Sequence, residues 1–520
     1  MSLSDIQSIV IVGGGTAGWL AAAFLQRTLS ATRPTPLPIT LIESPQIGTI
    51  GVGEATVPTL RATMQALGLP ESTLFTAADA TLKNGIRFNG WRKGGTAAED
   101  SYDHPFDMPL PFNGYPATVH WLNLMQRGML QPPMAEACTV QTRLYDGNQS
   151  PKLMHSPDYQ APVSYGYHLD AVKLATLLQQ TAIERGVQHV QGNVAQVHRG
   201  PAGIESVELD DGRRFAASFF VDCSGFQSLL LQKTLDVPWE SFSDWLPCDR
   251  AVAFPVAYAD ENAPLRSYTT STAQDAGWTW EIDLQSRSGT GYVYASRFCS
   301  DDEAVATLQR HNAGRTALAE PRLLRMRVGH AARAWEQNCL ALGLAGGFIE
   351  PLESTGIYLI EWVLQLFVDH IAPAGDSTVC RDRLNRAVGD VYEELRDFIV
   401  AHYALSQRRD TPFWRTCTDP ASMPPRLAEL LQLWDAKLPT PTDLDKRLSL
   451  FGPANWTYIL AGMHRLPSRG IGLAAHIAPE VSLKAMEHVR SVRQMASQQS
   501  PTLRDFVRKL RGAVDHKPAR

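Results

Sequence analysis

The chain has 520 residues, of which 44% are hydrophobic and 19% are charged, and its net charge at pH 7 is −5. This length exceeds the size at which a single hydrophobic core stops growing, so we expect more than one lobe. The composition excludes a disordered or fibrous protein. The weak negative charge gives no reason to expect nucleic acid or an anionic membrane as a partner.

Cysteine usage and the apolar runs bear on the cellular compartment. The seven cysteines form no Cys-x-x-Cys pair and no zinc-ligand spacing, so we expect reduced thiols, no metal site and a cytoplasmic protein. The N-terminal segment has no basic region and its apolar run is broken by glycines, so we expect no signal peptide. No run of about eighteen apolar residues predicts a membrane span.

The first element in the chain is a dinucleotide-binding motif. An apolar, β-branched strand at 8–12 leads into Gly13-x-Gly15-x-x-Gly18, a helical run follows, and a second strand ends in Glu43. The glycines permit a tight turn, close approach of the backbone to a pyrophosphate, and close packing of helix on strand. Because an acid at the end of the second strand is placed to bind a ribose hydroxyl, we predict a dinucleotide site rather than glycines used only for packing.

The next segments carry weaker signals. The glycine-rich loop at 50–58 either lies against a cofactor ring or forms a plain surface turn. Lys83 precedes a short strand, and a solvated lysine is its simpler interpretation. Residues 100–165 have little periodicity, which predicts a long irregular insertion over a pocket. His104 and Phe106 lie in this insertion, with ordinary packing as the alternative to a role in binding.

The middle of the chain predicts a helix and two kinds of sheet. Asp170 is placed to cap a helix, and Asp-Asp-Gly at 210–212 joins the strands of a hairpin whose second arm returns to a buried sheet. Residues 250–300 alternate as the strands of a second, antiparallel sheet do. Trp278 and Trp280 share one face of that sheet, either within a core or as the wall of a ligand cavity.

The segment 343–360 predicts a buried strand, a glycine-rich turn and an amphipathic helix. Ser354 and Thr355 are candidate N-caps, and Gly356 beside them permits an anion to approach the free N–H groups of the helix. Glu353 lies between an apolar run and this cap, where a buried charge needs a partner or a function. The alternative is a first-turn acid that stabilises the helix dipole.

The C-terminal part of the chain, from about residue 378, is predicted to be helical. The clearest helical runs are 383–403, 425–438 and 481–498, and a basic, frayed tail is expected at 508–520.

Several motifs occur in the order found in one family of enzymes. They are the glycine motif with Trp19, IGVGEATVP (50–58), Lys83, YGYHLDA (165–171), DCSGF (222–226), GWTWEI (277–282), RSGTGYVY (287–294) and EPLESTGIYLIEW (350–362). Together with DFIVAHYALSQRRDTPFW (397–414) they span residues 8 to about 415. On these motifs the chain resembles the flavin-dependent tryptophan/indole halogenases.

The resemblance implies a mixed α/β fold. It combines an FAD-binding GxGxxG βαβ domain of the flavin-monooxygenase type with an antiparallel-sheet substrate lobe and a helical C-terminal region. The implied FAD-binding halogenase core is 1–377, with the substrate lobe interleaved at about 80–165 and 240–335. Residues 378–520 would form the helical region that completes the substrate pocket.

The resemblance also implies the residues of the site. Lys83 and Glu353 would be catalytic, and Thr355 and Gly356 would hold the halide. The residues implied to bind FAD are Gly13, Gly15, Thr16, Ala17, Gly18, Glu43, Ala55, Val194, Leu344, Ser354 and Ile357. The residues implied to contact the substrate are His104, Phe106 and Trp456, and those implied to separate it from the flavin are Trp278 and Trp280.

The implied reaction is an electrophilic aromatic halogenation. Reduced FAD, dioxygen and chloride or bromide would give hypohalous acid, which halogenates an indole-type aromatic. Lys83 would act either as an ammonium that hydrogen-bonds the hypohalous acid or as an amine that becomes a haloamine. Glu353 would stabilise the cationic intermediate or accept its proton.

Three departures from related enzymes bear on the partners and the substrate. The stretch 224–230 lacks the acid and the arginine of related flavin hydroxylases, and Gly-Leu stands at 343–344 where they have Gly-Asp. Both differences favour reduced FAD delivered by a separate flavin reductase.

Asp283 replaces the family's proline after the two tryptophans. Asn-Trp-Thr-Tyr at 455–458 replaces the tyrosine pair that holds free tryptophan, so we expect indole or a larger uncharged indole derivative to be preferred.

Two other functions share the predicted fold. A flavin-dependent monooxygenase (a hydroxylase or epoxidase) of an aromatic substrate is the first alternative, and a non-catalytic flavin-binding protein is the second. A product whose mass depends on halide separates the halogenase from both. A homodimer is compatible with the sequence, which leaves the oligomeric state open.

Overall fold

The computed structural model describes residues 2–31, 33–48, 53–444, 450–467 and 476–515. Within these ranges, no helix is long and apolar enough to cross a membrane. All seven cysteines, each of which lies in a described segment, are free thiols.

The chain folds into two compact units, and each unit is assembled from three segments of the chain. Unit 1 comprises Met1–Asp79, Leu169–Ser243 and Met326–Glu393, and unit 2 comprises Ala80–His168, Asp244–Arg325 and Glu394–Arg520. The predicted boundary at residue 377, between the FAD-binding core and the helical C-terminal region, stays a prediction. The assignment of functions to these segments stays a prediction.

The strands are short and are numbered here in chain order. They are β1 (Ile9–Val12), β2 (Ile39–Glu43), β3 (Gly53–Ala55), β4 (Thr81–Lys83), β5 (Gly85–Asn89), β6 (Ser101–Pro105), β7 (Pro111–Phe112), β8 (Tyr115–Pro116), β9 (Gly166–Asp170), β10 (Gln188–Gln191), β11 (Val194–Gly200), β12 (Gly203–Leu209), β13 (Arg214–Ala216), β14 (Phe219–Asp222), β15 (Trp239–Ser241), β16 (Arg250–Val256), β17 (Thr269–Gln274), β18 (Gly277–Asp283), β19 (Ser288–Tyr294), β20 (Arg322–Arg325), β21 (Gly329–Ala331), β22 (Trp335–Glu336), β23 (Cys339–Ala341) and β24 (Gly347–Phe348).

The α-helices are numbered in the same way. They are α1 (Thr16–Ser30), α2 (Leu60–Ala66), α3 (Glu71–Ala77), α4 (Ala117–Gln126), α5 (Met134–Cys138), α6 (Gln141–Asp146), α7 (Ala171–Glu184), α8 (Asp301–His311), α9 (Gly356–His370), α10 (Thr378–Ala404), α11 (Pro412–Cys417), α12 (Pro425–Trp434), α13 (Pro453–Gly462), α14 (Pro479–Gln499) and α15 (Leu503–Asp515).

Unit 1 is built on a six-stranded sheet in the order β10-β2-β1-β14-β23-β22. Strand β1 pairs in parallel with both β2 and β14, and every residue of β1 and β14 is buried. These strands are continuous apolar runs because helices and loops cover both faces of a parallel sheet. The carboxyl ends of parallel strands form the edge at which ligands bind in such sheets, and here that edge carries Gly13, Glu43 and Asp222.

Two local signals in unit 1 are confirmed. The Asp170 carboxylate accepts hydrogen bonds from the backbone N–H groups of Val172 and Lys173, at 3.0 and 3.1 Å, and so caps α7. Strands β12 and β13 form the antiparallel hairpin predicted around the Asp-Asp-Gly turn. Helix α1 packs against α7 and α9 within the same unit.

Unit 2 is built on a seven-stranded sheet in the order β20-β16-β19-β18-β17-β5-β6. Strands β16, β19, β18 and β17 are successive antiparallel neighbours, as the alternation at 250–300 predicts. Strand β5 joins the sheet in parallel with β17, and β6 pairs antiparallel with β5. Beside this sheet, β4 and β9 pair antiparallel in unit 2.

Two predictions about local order are wrong. The segment 100–165 is not an irregular insertion, because it contains α4, α5 and α6. Helix α4 is buried on nearly all sides, so its sequence lacks the amphipathic period that identifies a helix. The tail does not fray at residue 508, since α15 extends to Asp515; residues 516–520 of the predicted tail lie outside the described ranges.

Candidate functional site

The glycine motif of unit 1 forms a close-fitting turn between β1 and α1. Gly13 has φ +117°, and a Cβ atom there would overlap the carbonyl oxygen of Cys223. A Cβ atom at Gly18 would overlap the carbonyl oxygen of Gly13, so this glycine permits the close packing of helix on turn. The sequence therefore uses these glycines for a backbone geometry that other residues cannot adopt.

Gly15 differs from its neighbours because nothing lies within 4 Å of the position of a Cβ atom there. Gly15 is the N-cap residue of α1, a helix of 15 residues whose first N–H groups have no acceptor within the helix. A helix N-terminus with room for close approach is suited to a pyrophosphate. The turn at Gly343, with φ +58°, meets the same helix, since a Cβ atom there would lie 2.9 Å from the Ala17 side chain. Leu344 follows in this turn.

Glu43 ends β2 beside the glycine turn, as predicted. Its carboxylate lies 2.9 Å from Nε2 of His189, and its side chain is 25% exposed. A Cβ atom at Gly14 would overlap this carboxylate, so the glycine permits the acid to reach the turn. The Glu43 carbonyl oxygen accepts a hydrogen bond from the Gly192 N–H at 3.0 Å, two residues before Val194. These residues fit the adenosine end of FAD, since a carboxylate at this position suits a ribose hydroxyl.

The DCSGF stretch turns the chain at the end of β14. The Asp222 carboxylate is fully buried and accepts hydrogen bonds from the backbone N–H groups of Ser224, Leu230 and Leu231, at 3.0, 2.8 and 2.9 Å. A buried carboxylate is stable when several donors satisfy it. Asp222 therefore fixes the loop against which the glycine turn packs.

The glycine-rich loop at 50–58 is described only in part, because residues 50–52 lie outside the described ranges. Residues Gly53–Ala55 form β3 and place Ala55 at its end. Burial raises the pKa of Glu54 to about 7, and the negative charge of Asp170 acts in the same direction. Thr56 and Val57, which follow in the same loop, are buried, so the loop is more enclosed here than a plain surface turn.

Glu353 lies in a short 3₁₀ turn, Pro351–Glu353, that precedes α9, and only 2% of it is exposed. The alternative of a first-turn acid is wrong, because α9 begins at Gly356 and has no acid in its first turn. Ser354 adopts a left-handed conformation with φ 62°. Thr355 occupies the N-cap position, but its side chain accepts no hydrogen bond from the first turn of α9, all of which is described.

Gly356 begins α9, and no atom lies within 4 Å of the position of a Cβ atom there. Ile357 follows it and is buried. The start of this 15-residue helix thus combines N–H groups that have no acceptor within the helix with space at Gly356. An anion the size of a halide fits those two features.

Lys83 is the last residue of β4 in unit 2 and is fully buried. Its Nζ atom lies 5.1 Å from the centroid of the Phe106 ring, a cation–π distance. The interpretation as a solvated surface lysine is therefore wrong. Lysine is rarely buried because removing an ammonium from water is costly, so burial marks Lys83 as a functional candidate.

The strand next to Lys83 carries a buried histidine. In the β4–β9 register Lys83 lies opposite Gly166 and Thr81 lies opposite His168. His168 Nε2 is 2.9 Å from the Thr269 hydroxyl, and Nδ1 is 3.4 Å from the Thr81 hydroxyl. Burial lowers the pKa of His168 to about 3, and the charge of Lys83 adds to this effect.

Asp283, the last residue of β18, is a buried ion-pair partner. Arg266 donates to its carboxylate from Nε at 2.9 Å, from Nη2 at 2.6 Å and from the backbone N–H at 3.1 Å. The Ser288 hydroxyl donates a further bond at 2.9 Å. Burial would raise the pKa of Asp283, but the charge and hydrogen bonds of Arg266 outweigh burial and hold the pKa below its usual value.

Trp278 and Trp280 lie on β18, the strand that Asp283 ends. Both are buried, and their ring centroids are 6.2 Å apart. The predicted shared face is therefore present. The Arg266–Asp283 pair fixes the end of the strand that carries both indoles.

Two of the predicted substrate residues meet in an aromatic cluster of unit 2. The Trp456 ring stands edge-on to Phe398 at 4.8 Å between centroids, and His104 lies 5.8 Å from the same ring. Asn455 Nδ2 is 2.9 Å from His104 Nε2. The buried indole N–H of Trp456 finds no acceptor among the described residues. Phe106 lies apart from these contacts, under Lys83.

Unit 2 also contains a cavity of about 620 Å³. Neither Lys83, His104 nor Trp456 lines it. Its wall includes Tyr102 from β6 and Tyr458 from α13, a helix that also carries Trp456. This cavity is therefore distinct from the predicted contacts of Lys83, His104 and Trp456.

Sequence reasoning missed His168, its partners Thr81 and Thr269, and the Arg266 partner of Asp283. His168 lies inside the YGYHLDA motif, and Thr81 is two residues from Lys83. Because side chains alternate along a strand, the period of two could have placed Thr81 on the face of Lys83. The strand pairing that brings His168 opposite Thr81 is not readable from local sequence.

The chain was compared with known proteins. The family model described as tryptophan halogenase matches residues 8–479. The chain belongs to this family. The tryptophan 7-halogenase RebH of Lentzea aerocolonigenes is 34% identical over 533 aligned residues, which cover 98% of this chain and 99% of RebH.

Solved structures of other halogenases are similar throughout. The tryptophan halogenase of Shewanella frigidimarina has a TM-score of 0.90 and 34% identity, covering 98% of each chain. Xcc4156, a flavin-dependent halogenase of Xanthomonas campestris, has a TM-score of 0.88 and 33% identity, covering 97% of this chain and 98% of that one. This protein is thus an enzyme of the flavin-dependent halogenase type, with the mixed α/β fold that the motifs predict.

Membership of the tryptophan halogenase family implies FAD as the cofactor, a separate flavin reductase as the source of reduced flavin, and a small aromatic substrate. The glycine turn, the space at Gly15 and the position of Glu43 fit FAD in unit 1. The roles of individual residues and the identity of the substrate are not given by family membership.

Proposed function

We propose that this halogenase uses Lys83 and Glu353 to halogenate indole or a larger uncharged indole derivative in preference to free tryptophan. The substrate assignment rests on the hydrogen bonds made by the side chains of residues 455–458. By the resemblance, these residues stand where halogenases of free tryptophan have the tyrosine pair that holds the amino-acid backbone. Asn455, Thr457 and Tyr458 each already have a hydrogen-bond partner within unit 2. The indole N–H of Trp456, which cannot bind an ammonium, has no acceptor among the described residues.

Three hydrogen bonds engage the side chains of Asn455, Thr457 and Tyr458. Asn455 lies 2.9 Å from His104 Nε2, the Thr457 hydroxyl donates to the Pro453 carbonyl oxygen at 2.7 Å, and the Tyr458 hydroxyl donates to the Asp107 carbonyl oxygen at 2.9 Å. The charged groups of a free amino acid bound against this stretch would lose their hydrogen bonds to water without forming new ones to these side chains. Since an unpaired buried charge costs several kcal/mol, an uncharged indole is favoured.

When bound in the reduced form, FAD would supply two electrons that reduce dioxygen to the peroxide level, and the halide would supply the two further electrons as it is oxidised to hypohalous acid. The glycine turn and Glu43 would hold its adenosine and pyrophosphate groups. The remaining FAD contacts proposed from the resemblance are Thr16, Ala17, Gly18, Ala55, Val194, Leu344, Ser354 and Ile357. The mouth of α9, at Thr355 and Gly356, would bind the halide through backbone N–H groups.

Lys83 would donate a hydrogen bond to hypohalous acid and polarise the halogen towards the aromatic ring. Its burial supports this role, because an ammonium removed from water interacts strongly with a bound polar molecule. Phe106, under the Lys83 amine, would keep that amine in one orientation. Glu353 would accept the proton lost from the ring carbon, and the two buried tryptophans on β18 would separate substrate from flavin.

The experiment supplies the protein with FAD, a flavin reductase, reduced nicotinamide, oxygen and bromide. Indole, 3-methylindole and free tryptophan are offered separately, and the product masses and rates are compared. We expect monobrominated indoles and much slower bromination of tryptophan. A preference for tryptophan would refute the substrate assignment. A hydroxylated product that forms without bromide would identify a monooxygenase, and flavin binding without any product would identify a flavin-binding protein.

The catalytic roles are tested by Lys83→Met and Glu353→Gln, which preserve side-chain size. We expect Lys83→Met to abolish indole bromination while FAD affinity and peroxide release stay unchanged, since the glycine turn belongs to unit 1. Glu353→Gln should lower the rate by about 10²–10⁴-fold, the range for loss of a general base. Normal bromination by Lys83→Met would overturn the assigned mechanism.

A further inference from the structure

We propose that His168 is a positioning residue for Lys83, holding β4 in place as a neutral imidazole that carries its proton on Nδ1. This inference rests on the proposed catalytic role of Lys83. It concerns a residue that contacts neither FAD nor halide in the proposed function, and it is argued from the hydrogen bonds around the imidazole.

The strand register places His168 on the face of Lys83. Thr81 and Lys83 point to the same side of β4, and their opposite residues on β9 are His168 and Gly166. Gly166 has no side chain, so His168 is the β9 side chain on this face nearest to the amine. Diagonal neighbours of this kind lie about 7–8 Å apart between Cα atoms.

The direction of the hydrogen bonds fixes the position of the imidazole proton. The Thr81 hydroxyl donates its proton to the Asp283 carbonyl oxygen at 2.6 Å, because a carbonyl can only accept. Towards Nδ1 of His168, 3.4 Å away, the Thr81 oxygen can then only accept, so Nδ1 carries the proton. Nε2 is left as the acceptor for the Thr269 hydroxyl at 2.9 Å.

The charges around His168 keep it neutral. Burial is the largest cause that lowers its pKa, followed by the positive charges of Lys83 on β4 and Arg266. Asp283, at the end of β18, opposes these effects through its charge and its backbone. A protonated His168 would place a second positive charge beside the amine that binds the oxidised halogen. A neutral one fixes the strand without competing with that amine.

The chain of bonds also gives a role to the departure at Asp283. Arg266 holds the Asp283 carboxylate through two side-chain bonds, and the carbonyl oxygen of the same residue holds Thr81. Thr81 in turn meets His168, which meets Thr269 on β17. Lys83 therefore ends a strand, β4, whose first residue, Thr81, is hydrogen-bonded to β18 and β9, and these bonds fix the position of the Lys83 amine.

The direct test is the tautomer of His168 in the intact protein. Protein labelled with ¹⁵N only in histidine is measured by NMR, and the His168 signals are assigned by their loss in His168→Asn. We expect a neutral imidazole with the proton on Nδ1 between about pH 5 and about pH 8, where an ordinary histidine titrates. An Nε2–H tautomer, or protonation of His168 within that range, would overturn the proposal.

The functional test compares three variants with a matched control. His168→Asn keeps a donor near the position of Nδ1, His168→Gln keeps only the reach to Thr269, and His168→Leu keeps neither. We expect kcat for indole bromination to fall by about ten- to hundredfold in His168→Leu and His168→Gln, since a displacement of about 1 Å costs as much as 10²-fold. His168→Asn should recover most of that loss.

The Michaelis constant for indole and the affinity for FAD should stay unchanged in all three variants. His120 is the control, because it is also fully buried and hydrogen-bonded, to Ser482 and Phe112, but lies in α4. His120→Leu should lower thermal stability with little change in kcat. Equal loss of kcat in His120→Leu and His168→Leu would mean that His168 acts only through packing, and the proposed positioning role would be wrong.

Parallel measurement of Lys83→Met separates the two levels of the proposal. If Lys83→Met brominates indole normally, the proposed function fails, whatever His168 does. If Lys83→Met is inactive and His168→Leu has the kcat of the native protein, only the positioning role of His168 fails.

Discussion

The ion pair of Asp283, which is buried, and Arg266, which is partly exposed, gives the sharpest stability prediction, because its charges are compensated within the protein. The Asp283 side chain is 3% exposed and lies 2.6 Å from Arg266. Removing one partner of a buried ion pair costs about 3–5 kcal/mol, since the other charge stays buried. In Asp283→Ala, Arg266 is 24% exposed and keeps Glu281 at 3.1 Å, so we expect at most the lower end of that range, about 3 kcal/mol.

The assay is a double-mutant cycle in urea. Asp283→Ala, Arg266→Met and the double variant are unfolded and followed by tryptophan fluorescence, for which Trp278 and Trp280 on β18 are nearby probes. Because the double variant buries neither charge of the pair, its loss should be smaller than the sum of the single losses by about 2–3 kcal/mol. The exposed pair of Arg199 and Asp236, 2.7 Å apart, is the control and should couple by less than about 1 kcal/mol.

Strict additivity of the two single effects would refute this reasoning. So would a loss below about 0.5 kcal/mol in Asp283→Ala, because that is the range of substitutions at exposed sites. Either result would mean that the carboxylate and the guanidinium are solvated in solution, and the proposed support of Thr81 and Lys83 would lose its anchor.

Three further predictions follow from single positions. Gly15→Ala should keep native stability, since its Cβ atom meets nothing within 4 Å, but should bind FAD weakly in a flavin titration. Gly13→Ala should lose stability, because its Cβ atom overlaps Cys223. Equal stability of the two variants would contradict this. Burial raises the pKa of Glu361 to about 7, so between about pH 4.5 and 7 the folded protein binds more protons than the unfolded protein, and its stability falls as the pH rises. Above pH 7, Glu361→Gln should be more stable than the native protein by at most about 3 kcal/mol, at ~1.4 kcal/mol per pKa unit. A gain in stability that persists below about pH 4.5 in urea unfolding would contradict this. The pKa of Asp283 is instead lowered, so this carboxylate stabilises the folded protein above about pH 4, and that stabilisation is lost as the pH falls further. In acid unfolding, Asp283→Ala should therefore lack the loss of stability that protonation of Asp283 causes.

The parts of the fold that the sequence predicted are those fixed by local chemistry. A positive φ at Gly13, a cap at Asp170 and the Asp-Gly turn at 210–212 each depend on a few consecutive residues. The position of Glu43 was predictable because the end of the second strand of a βαβ unit always meets the turn after the first. Helix α4 was missed for the opposite reason, since a segment buried all round has no polar face to reveal its period.

The chemistry of unit 2 was less accessible, because it depends on strand register. Lys83 alone gives no sign of its burial, and its neighbours Thr81 and His168 are separated by 87 residues in the chain. Register decides which side chains share a face, and a shift by one residue would turn His168 away from Lys83. The motif YGYHLDA marked the segment but not the residue within it that matters for the amine.

The resemblance to the halogenase family implies a proline at the position of Asp283, and the hydrogen bonds of Asp283 restrict that position by other means. A proline at the end of β18 would restrict the backbone through its ring. Asp283 restricts the same position by accepting four hydrogen bonds from Arg266 and Ser288, and the turn to β19 closes with the Leu284 N–H donating to the Arg287 carbonyl oxygen at 2.9 Å. Proline cannot replace the aspartate alone, because Arg266 would then keep a charge that Glu281 shares with Arg315. The two positions must therefore change together, and Asp283→Pro should regain stability only when Arg266 is replaced by an apolar residue.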